Sequence, residues 1–289
     1  MPVKKRRQAR QAKRLSPRAA MSVAKNKKAT SRQRITAMAE APLAVTTSDA
    51  NLQAVIALVR NQAEKPEVRL AAIDTLATAA FSVIAFEPAR HDYIAVLREV
   101  ADDPNPAIRE SALGLLAAEK DGMAQQKLLK GLKDPAKALV SPEKALQLLS
   151  YDVHSEAYAV ARDIVKDPPN PAAKQEALRL LAADAASAPL FEKVLRDKDE
   201  LRENRQVAAA ALNTLNPKKF QTHARAMVVD NTEYDDIQAT SLTALEHFGD
   251  DEAVAEDKAL LKSVGRISSK AGSAKYKKSA KAFLAKYDR

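Results

Sequence analysis

The line DPNPAIRESALGLLAAEK (103–120) returns 64 residues later as DPPNPAAKQEALRLLAAD (167–184), with a fainter copy, SPEKALQLLS (141–150), between them. A near-constant period restricts a fold more than composition does, because a short unit that recurs cannot bury its apolar face alone and must stack on its neighbours. Alignment on the dipeptide Ala112-Leu113 places Ala145-Leu146, Ala177-Leu178, Ala211-Leu212 and Ser241-Leu242 at steps of 33, 32, 34 and 30 residues, with Ala72-Ile73 lying 40 residues upstream behind a longer second helix.

Each unit reads as two helices. Thr47 or Ser48 can cap a helix whose apolar residues Leu52, Val55, Ile56 and Val59 fall at i, i+3, i+4 and i+7. Pro66 then opens a second helix with Val68, Ala72, Ile73 and Leu76 on one face, proline being suited to the first turn, where its missing N–H has no partner to lose. First helices are expected near 89–101, 122–133, 155–166, 187–197, 218–229 and 250–264, and SAKYKKSAKAFLAKY (273–287) supplies a last second helix. Runs of period two and Asn-Gly hairpin signals are absent from the sequence. The expected fold is all-α: a right-handed α-solenoid of about seven antiparallel helix pairs over 45–289, behind a disordered basic tail over 1–44.

The pairs resemble HEAT repeats, or the shorter HEAT-like repeats of the phycobilisome-lyase class. The matching features are the Asp-Pro turn, then Val68-Arg69, Ile108-Arg109 or Ala173-Lys174, then an apolar pair three residues after the basic one. The resemblance implies a ladder in which a turn aspartate and the early basic residue of the second helix tie successive repeats. It puts Asp103 with Arg109 and Asp167 with Lys174 in that ladder. In the third, fifth and sixth pairs the matching place holds no basic residue (Ser141, Ala208 and Gln238 lie near it), so the ladder is expected to break there. The resemblance speaks for architecture, not activity.

Charge is divided sharply along the chain. Residues 1–39 hold 13 Lys/Arg and no acid, residues 40–257 hold 24 basic and 36 acidic residues, and residues 258–289 hold 10 basic residues and Asp288. An acidic body with two basic ends speaks about partners. The first forty residues offer too little apolar surface to offset ordering entropy and read as a disordered tail, an organelle transit peptide being the rival. Within it, KKRRQARQAKR carries Lys4, Lys5, Arg6, Arg7, Arg10, Lys13 and Arg14, a candidate polyanion-binding segment with no interleaved aromatic for base stacking. The same charges suit an anionic membrane surface, an acidic protein or a nuclear-import signal. Acids concentrate over 230–257, and Asp235, Asp236, Asp250, Asp251 and Glu252 form a candidate acidic face for a basic partner or for the chain's own tail.

Catalytic signatures are missing. The chain has no cysteine, so disulfides and thiolate metal sites are excluded. His91, His154, His223 and His247 show no zinc-type spacing, although His223 and His247 fall in one pair and could approach each other. The six glycines form no phosphate loop or nucleophile elbow. Paired acids such as Asp102/Asp103 read as helix-end residues, and DNTEYDD (230–236) lacks EF-hand spacing. Phe81, Phe86, Tyr93, Tyr151 and Tyr158 are explained by core packing. Few aromatics and no tryptophan argue against bilin-lyase or DNA-glycosylase relatives on similar scaffolds.

The expected function is that of a protein–protein scaffold or adaptor gripping a partner along a concave surface, anchored electrostatically by its tail. The alternative is a nucleic-acid-associated protein using the tail and Lys270, Lys275, Lys277, Lys278, Lys281 and Lys286; the second alternative is a HEAT-like lyase or glycosylase. The expectation is a non-enzyme without catalytic residues, metal or cofactor, with no membrane span or secretory leader, in the cytoplasm and open to nucleoid association.

Overall fold

Capping chemistry sets where the helices begin. In the computed structural model, which describes residues 15–152, 154–269 and 274–287, every regular element among the described residues is helical. The chain divides into two compact units, Met1–Val140 and Ser141–Arg289.

The first unit holds α1 (Pro17–Lys25), α2 (Ser31–Ala39), α3 (Pro42–Thr46), α4 (Asp49–Arg60), α5 (Pro66–Ala80), the single turn α6 (Val83–Phe86), α7 (Arg90–Val100), α8 (Pro106–Ala118) and α9 (Gly122–Lys133). α1 packs on α2, α4 on α5 and α7 on α8, while α5 also lies against α2 and α8. The buried stripe of α4 is Leu52, Val55, Ile56 and Val59, the period-3.6 set the sequence shows. Asn105 caps α8 by accepting from the backbone N–H groups of Ala107 and Ile108, with Pro106 next to it, and α8 buries Ile108, Ala112, Leu113 and Leu116.

The second unit holds α10 (Pro142–Leu149), α11 (Ser155–Lys166), α12 (Pro171–Leu181), α13 (Ala188–Arg196), α14 (Arg202–Leu215), α15 (Pro217–Val229), α16 (Asp235–Phe248), α17 (Asp251–Glu256), α18 (Lys258–Ser269) and α19 (Ala274–Tyr287). Here α11 packs on α12, α13 on α14, α15 on α16 and α18 on α19. α12 touches α14, α14 touches α16, and α16 touches α19. Second helices thus stack on second helices within each unit, as a helical-repeat fold requires.

Three expectations change. Residues 17–39, assigned by composition to a disordered tail, form the α1–α2 pair, with Ala20, Met21, Ala24, Ala37 and Met38 buried. Its start signals are local: Ser16 caps α1, and Thr30 and Gln33 make a reciprocal capping box on α2. The helix expected over 250–264 is broken at Asp257, whose carboxylate accepts from the backbone N–H of Leu260 at 3.0 Å and so starts α18 afresh. The 40-residue step after Ala72 is filled by α6 and a following turn. There the chain bends by 118° between α5 and the Val83–Val100 stretch. No single helix among the described residues is long and apolar enough to cross a membrane.

Candidate functional site

Three buried arginines join neighbouring pairs by one geometry. Arg34, Arg69 and Arg205 stand near the start of α2, α5 and α14, and each donates from Nε to the carbonyl ten residues earlier, at the end of the preceding first helix. These acceptors are Ala24, Val59 and Leu195, at 2.9, 2.8 and 2.9 Å. The rest of each guanidinium reaches forward to a carboxylate in the next turn: Glu64 at 2.8 Å, Asp103 at 2.5 Å and Glu233 at 2.6 Å. One planar group therefore satisfies an orphan helix-end carbonyl and ties two pairs at once, which the fork of arginine permits and a point charge does not. Lys174 forms only the forward link, to Glu200. In α16 the place is taken by Gln238, whose Nε2 donates to the carbonyls of Met227, Val228 and Asp230.

The structure rearranges the residues that the resemblance placed in a ladder. Asp103 pairs with Arg69 of the preceding pair, and Arg109 meets the Asp103 carbonyl at 2.8 Å and the Leu139 carbonyl at 2.6 Å rather than any carboxylate. Asp167 is exposed. The fifth pair, expected to lack a link, holds the Arg205–Glu233 bridge, with side chains 2% and 1% exposed.

The candidate acidic face is largely engaged inside the second unit. Asp236 accepts from Arg202, Asp251 from Lys286 and the Tyr287 hydroxyl, and Asp250 caps α17. Asp235 also has a partner within the fold, and Glu252 is exposed. Beside it, Asp257 pairs with Arg225, and Lys198 bridges Asp230 at 2.7 Å and Glu233 at 3.0 Å. These acids serve mainly to join α13–α19, so the free negative surface is smaller than the sequence indicates.

The Lys198 bond, with the hydroxyl and backbone N–H of Thr232, holds the Asp230 carboxyl down at about 2. Burial raises Glu233, yet Arg205, the Tyr234 N–H and Lys198 together keep it below the usual range. A carboxyl depressed in the folded state adds stability above its unfolded pKa and loses it as pH falls through the folded value. Acid unfolding of the second unit is therefore expected to steepen between about pH 4 and 2. Replacing Asp230 by Asn should flatten that limb, with a difference at pH 7 held near 1 kcal/mol by solvent around Lys198. Circular dichroism against pH checks this, and an unchanged acid limb contradicts it.

Other sequence candidates separate. His223 meets Glu192 at 2.9 Å and His247 lies edge-on to Phe248, so the two histidines have different partners; His91 and His154 are exposed beside Asp92 and Asp152. Among the described residues, no group of three His, Asp or Glu side chains is placed to hold a metal ion. Lys4, Lys5, Arg6, Arg7, Arg10, Lys13 and Arg14 lie outside the described residues, as do Lys270 and the Lys275 side chain.

One surface stands apart in the first unit. Phe86 and Tyr93 stack edge to face at 5.7 Å in the core, whereas Phe81, Val83 and Ile84, at the bend just before them, are 85%, 63% and 93% exposed. The bend produces this: Phe81 caps the end of α5, and α6 is a single turn that turns Phe86 inward and its first two residues outward. Core packing was the expected role of Phe81 and Tyr151, and the exposure of both corrects that. Scattered single apolar residues on a surface are ordinary; a contiguous cluster marks an interaction site.

No family model matches the sequence, and no characterised protein is found that matches it. A solved structure similar to the chain is the complex of CpcE and CpcF of phycocyanin lyase from Nostoc sp. PCC7120, covering 98% of this chain and 99% of that one, at 17% identity and a TM-score of 0.34. That neighbour is a lyase, and the expectation of a non-enzyme is withdrawn on that finding.

Proposed function

We propose that the chain is a HEAT-like helical-repeat scaffold, in the right-handed sense expected from the sequence, that binds another protein. The observation that carries this reading is the exposed Phe81–Val83–Ile84 cluster. Leaving an aromatic and two β-branched side chains in water forgoes about 1.5–3 kcal/mol for each, a loss that burial against a partner recovers. Aromatic anchors flanked by aliphatic ones are the usual centres of protein interfaces. The partner surface expected is apolar, and cytoplasmic placement belongs to the same reading.

The double variant Phe81→Asp/Ile84→Asp tests it. Neither side chain contributes to the core, so the fold should persist. Partners cross-linked to the parent chain in its native cell should fall at least about thirtyfold in recovery, the loss of roughly 2 kcal/mol typical of an interface anchor. Undiminished recovery would refute the proposal. If sedimentation shows instead that the parent self-associates and the variant does not, the occupant is a second copy of the chain.

A further inference from the structure

The last helix pair carries five lysines that no ion pair holds among the described residues. No Asp or Glu occurs from Lys258 to Tyr287. On α18, Lys258, Lys262 and Arg266 are exposed at i, i+4 and i+8, while Leu260, Ser263 and Val264 are buried. On α19, Tyr276, Ala280, Phe283 and Tyr287 form the buried stripe. At about 100° per residue, Lys277, Lys278 and Lys281 span roughly 100° of arc on the side away from that stripe. Among the described residues no ion pair holds Lys258, Lys262, Lys277, Lys278 or Lys281. Lys286, on the opposite flank, is the lysine of α19 that Asp251 engages.

Helix stability does not explain this pattern; it argues the other way. Lys258–Lys262, Lys262–Arg266 and Lys277–Lys281 are like-charge i,i+4 pairs, each unfavourable by about 0.2–0.5 kcal/mol. Lys277 also sits in the first turn of α19, which contains no acid, where the helix dipole opposes a cation. A stretch that accepts several unfavourable terms, with five of its lysines outside any ion pair among the described residues, is shaped for something outside it.

We infer that the α18–α19 face binds the phosphate backbone of nucleic acid through Lys258, Lys262, Arg266, Lys277, Lys278 and Lys281. Lys258, Lys262 and Arg266 on α18, and Lys277 and Lys281 on α19, lie about 6 Å apart along the helix axis, four residues at 1.5 Å each, so a phosphate chain can be followed from turn to turn. A membrane surface fits less well: an interfacial helix needs its apolar face free, and Leu260, Val264, Tyr276, Phe283 and Tyr287 are buried in the fold. An acidic protein also fits less well, because interface centres are rich in aromatic residues and poor in lysine. With no exposed aromatic for stacking, recognition is by charge and tolerant of sequence.

The test uses the full chain and two labelled mixed-sequence probes, a DNA duplex and a single-stranded RNA, read by fluorescence anisotropy from about 50 to 200 mM salt. The variant is K258Q/K262Q/K277Q/K278Q/K281Q; glutamine matches lysine in helix propensity, and circular dichroism verifies the fold. A second background, with the seven basic residues of 4–14 changed to glutamine, separates the tail's contribution. In both backgrounds the five substitutions should weaken binding at least about tenfold and lower the slope of log K against log salt by about 2–4, each lost phosphate contact removing roughly 0.9. Unchanged affinity and slope overturn the inference. So does a variant that loses binding to phosphatidylserine vesicles or to poly-glutamate while keeping the nucleic acid. The Phe81→Asp/Ile84→Asp chain should bind both probes like the parent, which keeps this result independent of the protein-binding reading.

Discussion

Arg205→Ala is expected to destabilise the second unit by about 3–5 kcal/mol, the cost of stripping one partner from a buried ion pair. Arg205 donates to both oxygens of Glu233, at 2.8 and 2.6 Å, and to the Leu195 carbonyl at 2.9 Å. Its guanidinium also lies 5.8 Å from the Tyr234 ring, which Arg202 approaches to 5.1 Å. Alanine leaves the Leu195 carbonyl without its donor and Glu233 with Lys198 alone as a cation, a residue 48% exposed and far less able to compensate. The loss should be read from chemical denaturation, with hydrogen exchange locating it at α13–α16. A change under about 1 kcal/mol would refute the account. The pair's net contribution is a separate quantity: Arg205→Met with Glu233→Leu removes both charges together and should recover most of the lost stability, as buried pairs replaced by apolar groups commonly do.

The same residue shows what sequence could and could not reveal. From Asp49 onward the helix pattern was readable, because the fold writes it in apolar spacing and in Asn-Pro or Asp-Pro starts. The ladder was hidden by register. Alignment on Ala211-Leu212 puts Ala208 in the basic place. The buried residues Ala208, Ala209 and Leu212 of α14 instead correspond to Ala72, Ile73 and Leu76 of α5, which brings Arg205 onto Arg69. Alanine-rich helices allow such a three-residue slip, since neither register buries a polar group in the sequence pattern itself. The α1–α2 pair was missed for a related reason. Arg34, counted as one charge of a tail, is 5% exposed and held by Glu64 thirty residues away. A long-range counter-charge is invisible to local composition, although the Thr30–Gln33 capping box was legible. The acidic stretch shows the converse: Asp236, Asp251 and Asp257 stand out in the sequence, but their partners Arg202, Lys286 and Arg225 lie 32 to 35 residues distant, so the pairing appears only in three dimensions. The exposed cluster at Phe81 followed from no pattern, because a bend decides which of five neighbouring apolar residues turn outward.

Phe283→Ala carries an effect of similar size, about 3–5 kcal/mol for a fully buried phenylalanine, with a different reach. Phe283 is 0% exposed and its ring centroid lies 4.8 Å from that of Tyr287, whose hydroxyl meets Asp251 at 2.7 Å. In a stacked-pair fold each pair rests only on its neighbours, and α18–α19 packs chiefly against α15, α16 and α17. A cavity there should open the last pair before anything else. Amide exchange in α18 and α19 is expected to rise by a factor of a hundred or more, about 2.7 kcal/mol or above, while α11–α14 keep their protection. The lysine stripes add a salt dependence of unusual sign. Their like-charge pairs push the opened helices apart at low ionic strength, and screening within about 10 Å at 0.1 M salt should partly restore protection. An ordinary core defect would show no such recovery. Phe283→Ala should also weaken nucleic-acid binding without removing a single cation, because a frayed pair no longer holds its six charges in two ordered rows. Protection in α18–α19 equal to that of the parent, or loss spread evenly over the second unit, would refute this picture of a terminal pair held by its core and strained by its charge.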